Sequence, residues 1–375
     1  GALVAIDPHT GAILAMVGSA DPSQNGGQYN MSVVPRNPGS SMKIYNYTAA
    51  IASGRYTMVT PIVDSPIKVP DGTNYWEPKN YDGRYHGTCQ LQQCMGNSLN
   101  VPAVKVELGQ GVANVVNMAR TMGAPPFYSD GRQDTPADWF GPSLTLGGYG
   151  ETVVQMATGA SVLGAQGVLH PPFAIQEIKG SDGSQVFKAN PQSAAKQVLD
   201  PKVAYIMEQI MSNDNNRAMI FGRGTPLTLS SRHVGAKTGT TDNFTDGWTL
   251  GYTPDLAAAV WMGNPNFSPM VKGSDGVFVA APAWHNFMQG ALDAMHIGDV
   301  WYSEPPGLSH ATVGGQPAWF LPGTSPSTPA PGLPAGVISS GSSRSPSPAP
   351  TGGTSGSGGG GGGGGNGHGH GGGGG

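Results

Sequence analysis

The sequence predicts an α+β, or mixed, domain built on one sheet, and three observations carry that reading. Short apolar strands open the chain, helical patterns fill its middle, and three strand patterns in succession close its ordered part. Ala2 to Asp7 and Ala12 to Val17 are apolar runs around Pro8-His9-Thr10-Gly11, a hairpin signal. From Ser40 the spacing turns helical, with Met42, Tyr45, Ala49 and Ala52 near one face until Gly54. Proline and glycine crowd residues 54–88, which predicts a long structured excursion. Helical patterns recur at 90–97, 101–122, 151–163 and 201–212, and Phe173 to Ile178 reads as a strand. His233 to Thr238, Gly247 to Tyr252 and Leu256 to Met262 read as the three closing strands, followed by a helix near 284–295.

Length and charge narrow the function. The 375 residues suffice for one large domain or two ordinary ones. With 11% charged residues and a net charge of -4, no basic excess exists to neutralise phosphates, so nucleic acid is excluded as the default partner. No run of 18 apolar residues and no basic, apolar N-terminal signal segment occurs. The chain opens at Gly1 directly in a strand pattern and reads as the excised or processed part of a longer protein. Cys89 and Cys94 are too few for a disulfide framework or, by themselves, a four-ligand zinc site.

The end of the chain differs in kind. From Pro305 to Gly375 the sole charged residue is Arg344, and 18 of the 60 glycines lie between Gly352 and Gly375. Trp319-Phe320 and Val337-Ile338 are too sparse to seed a core, so 305–375 is expected to be a disordered Pro/Ser/Gly-rich tail. His368 and His370 on a glycine string are poor metal ligands, and no metal site is expected.

Three short motifs carry chemistry. In Ser40-Ser41-Met42-Lys43, positions i and i+3 share a helix face, so the lysine amine can sit beside the Ser40 hydroxyl and take its proton. Pro38-Gly39 places Ser40 in the first helical turn, where free N–H groups favour developing negative charge. Burial would lower the Lys43 pKa. Ser65-Pro66-Ile67-Lys68 and Ser193-Ala194-Ala195-Lys196 match the same spacing, so the pattern alone does not discriminate. Ser98-Leu99-Asn100 can point a hydroxyl and an amide into one cleft from a tight loop between helices; Ser23-Gln24-Asn25 shares the pattern. Lys237-Thr238-Gly239-Thr240 holds the only Lys-Thr-Gly, at the end of a strand pattern. There a lysine and two hydroxyls can bind a carboxylate, and Gly239 admits a ligand backbone.

The order of the motifs decides among the matches. Nucleophile, loop and strand follow one another in the arrangement shared by serine β-lactamases and penicillin-binding proteins. The chain resembles the transpeptidase domain of the penicillin-binding proteins, and the bifunctional class A type in particular. The resemblance extends to Arg36-Asn37-Pro38-Gly39, Trp76-Glu77-Pro78-Lys79-Asn80-Tyr81-Asp82-Gly83, Asn97 through Pro102, Gly147 through Gly167, and Asp246 through Gly263. It implies the penicillin-binding, serine β-lactamase-like fold: an antiparallel sheet flanked by helices, with a helical subdomain. The transpeptidase domain is expected over residues 1–304.

The resemblance also implies roles. Ser40 attacks the carbonyl between the last two D-alanines of a peptidoglycan stem peptide, and Lys43 activates it. Ser98 and Asn100 assist proton transfer and orient the donor. Lys237 supplies positive potential, while Thr238, Gly239 and Thr240 form the carboxylate-binding edge. The backbone N–H groups of Ser40 and Thr240 form the oxyanion hole. A neighbouring stem-peptide amine then takes the acyl group, and β-lactams trap Ser40. No cofactor is implied. The location implied is the extracytoplasmic face of the bacterial membrane or the cell wall, with anchoring through an N-terminal part that this chain lacks, as it lacks the class A glycosyltransferase domain. Cys89 and Cys94 form a disulfide if Cys89 lies outside the helix leading to Ser98; two unlinked small apolar residues are the alternative.

Three rival functions remain. A class A β-lactamase would carry a Glu-x-x-x-Asn pattern, and no glutamate here has asparagine four residues later. A D,D-carboxypeptidase differs only in using water as acceptor. A β-lactam sensor would share the acylation apparatus.

Overall fold

A computed structural model describes residues 1–23 and 26–339. Its centre is a five-stranded antiparallel sheet in the order Gly235–Thr240, Asp246–Tyr252, Ala257–Gly263, Ala2–Ile6, Ile13–Val17. The first strand of the chain joins the middle of this sheet beside strand Ala257–Gly263, where Ala2 pairs with Trp261 and Ile6 with Ala257. Both faces are covered, which is why the 246–252 and 257–263 strands are buried without alternation. On one face Val4, Ile6, Leu250, Tyr252 and Trp261 join a large core with helices Lys43–Ala52, Val153–Gly164 and Pro201–Ser212. On the other, Ala258 and Val260 pack under Trp284, Met288 and Leu292 of helix Ala281–Ala294.

The remaining helices form a layer beside the sheet. The expected helix over 101–122 is two, Asn100–Gln110 and Val112–Thr121, because Gly111 turns at φ +96° between them. The excursion over 54–88 holds short ladders that pair Pro61–Asp64 with Gly87–Gln90 and Ile67–Asp71 with Asn74–Trp76. The molecule thus carries more than the one sheet expected. The expected strand from Phe173 begins only at Glu177; Phe173 itself makes a single bridge to Ala12, after two prolines that cannot donate to a ladder.

The largest correction concerns the tail. Ser309–Val313 and Gln316–Phe320 form a hairpin, and Ala318 and Phe320 are buried in the main core. Trp319 packs edge-on against Tyr205, their ring centroids 5.8 Å apart. Ile338–Ser339 extends the ladder of Ile67–Asp71. A domain end at 304 and disorder from 305 therefore do not hold for the described residues. Few apolar residues are needed here, because helix 201–212 and its neighbours already provide the surface they cover. Arg344, His368 and His370 lie outside the described residues, as do Gln24 and Asn25 of the second Ser-x-Asn match. No helix among the described residues is long and apolar enough to cross a membrane.

Candidate active site

The chain is fixed before it reaches Ser40. Arg36 exchanges backbone hydrogen bonds with Glu151, and its buried guanidinium donates from Nε to Asp246 Oδ1 at 2.7 Å. The Trp261 indole donates to the same carboxylate oxygen, and that of Trp248 donates to the Asn37 carbonyl. A single tight turn, Gly39–Met42, then runs straight into helix Lys43–Ala52, so Ser40 stands in the turn just ahead of the helix rather than in the helix's own first turn.

Three glycines let backbones meet at this point. A Cβ on Gly39 (φ +55°) would come within 2.4 Å of the Thr240 carbonyl oxygen, and one on Gly147 (φ +78°) within 2.1 Å of the Gly39 nitrogen. A Cβ on Gly239 would lie 2.2 Å from the Pro38 carbonyl oxygen. The backbone that Gly239 admits is therefore the protein's own turn rather than a ligand's. This packing sets the Ser40 turn against the Lys-Thr-Gly strand and brings the backbones of Gly39 and Thr240 together.

Lys43 is fully buried, and its Nζ lies 2.6 Å from the Ser98 carbonyl oxygen, 2.7 Å from Asn100 Oδ1 and 2.9 Å from Ser40 Oγ. The first two atoms only accept hydrogen bonds, so they take the N–H groups of the amine. A neutral amine has two such groups, which leaves its lone pair facing the Ser40 hydroxyl. Burial first, and then the nearby Lys237, hold the Lys43 pKa well below the ordinary lysine range and favour the neutral form.

Ser98 follows helix Leu91–Gly96 in a left-handed conformation, φ 57°. Its Oγ accepts from Lys237 Nζ at 2.8 Å and lies 3.4 Å from Lys43 Nζ, so one hydroxyl joins two lysines that are far apart in sequence. Lys237 is buried and shares a face of its strand with the large core, since it pairs with Leu250. Burial, then the charge of Arg217, bring its pKa down to about 7. The Thr240 hydroxyl accepts the Gly276 backbone N–H at 3.0 Å, which leaves its own proton to donate elsewhere. Ser40, Ser98, Thr238 and Thr240 line a cavity of about 430 Å³ whose walls include Phe221 and Phe278.

All eight residues singled out from sequence meet here. The rival serines do not compete. Lys68 is paired with Glu77 at 2.8 Å rather than with Ser65, whose hydroxyl instead accepts from Lys105. Ser193 and Lys196 lie at the surface, on a short helix and the strand after it. Cys89, on a strand, and Cys94, on the following helix, are joined as a disulfide with Cα atoms 5.7 Å apart.

Sequence reasoning missed one residue that shapes the site. Helix Asn100–Gln110 has no capping side chain of its own; Asn80 Oδ1 accepts the N–H groups of Asn100 and Val101 at 2.9 and 3.1 Å. Asn80 in turn donates to the buried Asp64 carboxylate at 2.7 Å. The segment Trp76–Gly83 supported the resemblance, but nothing local marks Asn80 as a cap for a helix twenty residues on.

A family model described as the penicillin binding protein transpeptidase domain matches residues 1–289. The chain belongs to that family. Penicillin-binding protein 1A of Neisseria gonorrhoeae is 33% identical over 299 residues, 78% of this chain and 36% of that protein. Penicillin-binding protein 1A of Pseudomonas aeruginosa is 28% identical, covering 82% of this chain and 42% of its own length. The chain thus spans well under half of these curated relatives. Among solved structures, penicillin-binding protein 1A from Haemophilus influenzae superposes with a TM-score of 0.74 at 26% identity, over 87% of this chain and 53% of the other. PonA1 from Mycobacterium tuberculosis, solved in complex with penicillin V, gives a TM-score of 0.68 at 26% identity, over 84% and 82%. The transpeptidase fold and the class A kinship expected from sequence both hold, and the β-lactamase reading falls away.

Proposed function

We propose that this penicillin-binding transpeptidase domain is a serine D,D-transpeptidase that cross-links peptidoglycan stem peptides. The observation that carries the reading is the convergence of Lys43, Ser98 and Lys237 around the Ser40 hydroxyl. Ser40 Oγ attacks the carbonyl between the two terminal D-alanines as its proton passes to the Lys43 amine. The oxyanion forms against the N–H groups of Ser40 and Thr240, each such donor typically worth about 3–4 kcal/mol. The proton returns through Ser98 to the departing amine, D-alanine leaves, and the acyl group remains on Ser40. An acceptor amine then forms the new amide bond and restores the Ser40 hydroxyl.

Lys237 supplies the positive potential for the donor's terminal carboxylate, and Thr238 and Thr240 bind it. β-Lactams mimic that terminus and acylate Ser40. The site of action is the extracytoplasmic face of the bacterial membrane, where peptidoglycan is assembled. Incubation with a peptide ending in D-Ala-D-Ala and an amine, followed by mass spectrometry, tests this. A cross-linked amide with one D-alanine lost supports it; hydrolysis as the sole product makes the protein a carboxypeptidase.

A further inference from the structure

The cavity that holds Ser40 has a chemical feature that acyl transfer from the donor terminus leaves unused. Asp275 is the only carboxylate among the residues lining it, 9% exposed, against a wall that includes Phe221, Val277, Phe278 and Pro282. It stands at the N-cap of the short helix Gly276–Val279, a place where aspartate commonly accepts a backbone N–H, yet its side chain makes no such bond. The hydroxyl of Tyr81, which also lines the cavity, donates to its Oδ2 at 2.8 Å. Among the described residues no hydrogen bond reaches Oδ1 and no cation pairs with the carboxylate. The next residue is anchored to the Lys-Thr-Gly strand through the Gly276 N–H on Thr240, so Asp275 cannot drift from the reaction centre.

Asp275 Oδ1 therefore opens onto the cavity without a protein donor among the described residues, on a residue that is only 9% exposed, and is placed to take a cationic donor from a ligand. The substrates that enter this cavity are peptides. We infer that Asp275, oriented by Tyr81, is a specificity residue that receives an ammonium group of the stem peptide. The ammonium donates to Oδ1 while the tyrosine hydroxyl holds Oδ2. This rests on the transpeptidase reading above and adds to it a preference for a positively charged substrate. The ammonium has two possible sources of the same chemistry: a side-chain amine of the donor, or the attacking amine of the acceptor before it loses its proton.

Two arms separate the sources. In the donor arm, D-alanine release is compared for Nα-acetyl-L-lysyl-D-alanyl-D-alanine, which carries a side-chain ammonium, and its Nε-acetylated form, which does not. In the acceptor arm the acetylated donor is used, and capture by Nα-acetyl-L-lysine amide is compared with capture by hydroxylamine, which is largely uncharged at neutral pH. Rates are normalised to the fraction of protein that fluorescent penicillin labels, which removes any loss of folded sites. The native chain is expected to prefer the charged partner in one arm, and Asp275→Asn to reduce that preference about tenfold, the usual worth of a charge-assisted hydrogen bond. Asp275→Glu should restore part of it, and Tyr81→Phe should weaken it less than Asp275→Asn does. Turnover by the native chain with no charge preference in either arm overturns the inference while leaving the transpeptidase reading intact. So does a preference that Asp275→Asn leaves unchanged. No turnover of either donor by the native chain overturns the transpeptidase reading and this inference with it.

Discussion

Lys43 Nζ stands 2.9 Å from Ser40 Oγ, and the two closest acceptors around that amine, the Ser98 carbonyl and Asn100 Oδ1, are aimed at its N–H groups. The arrangement favours a neutral amine by occupying its donors and burying it. Only the lone pair is left for the serine proton.

Three serines share the Ser-x-x-Lys spacing, and only Ser40 has its lysine as a neighbour. Ser40→Ala is expected to abolish labelling by fluorescent penicillin, while Ser65→Ala and Ser193→Ala retain it. Loss of labelling in Ser193→Ala would move the nucleophile elsewhere.

In the proposed mechanism the two lysines act in opposite protonation states, so acylation should have an optimum in pH. Neutral Lys43 is needed to accept the Ser40 proton, which makes the rate rise as pH increases through its lowered pKa. Charged Lys237 is needed for the carboxylate, and that charge is lost as pH rises through about 7. A second-order acylation rate that climbs without a fall on the alkaline side would remove Lys237 from carboxylate binding.

Asn80→Ala removes the acceptor for two N–H groups at the start of helix Asn100–Gln110 and one donor to the Asp64 carboxylate. A cap of this kind is worth roughly 1–2 kcal/mol. The urea midpoint should fall accordingly, and penicillin acylation should slow because Asn100 loses its anchor. An unchanged midpoint would mean that water caps the helix equally well.

Phe320→Ala tests whether the 309–320 hairpin belongs to the fold. A buried phenylalanine truncated to alanine typically costs about 3–5 kcal/mol, and Phe320 is only 2% exposed. A loss below roughly 1 kcal/mol, as at a typical surface site, would return the hairpin to the status of an appendage.

Replacing both Cys89 and Cys94 with alanine should lower stability by about 2 kcal/mol, the loop-closure entropy of so short a link. Chemical denaturation of the native and double-alanine chains, each without reductant, measures it. Equal stability would mean the constraint contributes nothing to folding.

The elements of the candidate site were legible in the sequence because each is local. Ser40 and Lys43 share one helical turn, Ser98 and Asn100 one loop, and Lys237 to Thr240 one strand end; periodicity likewise marked the sheet strands and most helices. Local spacing did not choose among the three serines; the order of the motifs did, while the burial and the Ser98 carbonyl that surround Lys43 come from distant chain. Beyond local pattern were the Asn80 cap, the charge of Arg217 beneath Lys237, and the meeting of Gly39, Gly147 and Gly239. The hairpin at 309–320 was hidden for a related reason: a few apolar residues suffice when the surface they cover is built by helices a hundred residues away. Short-range spacing sets which groups share a turn or a strand face, whereas desolvation and long-range contact depend on what the rest of the chain brings beside them.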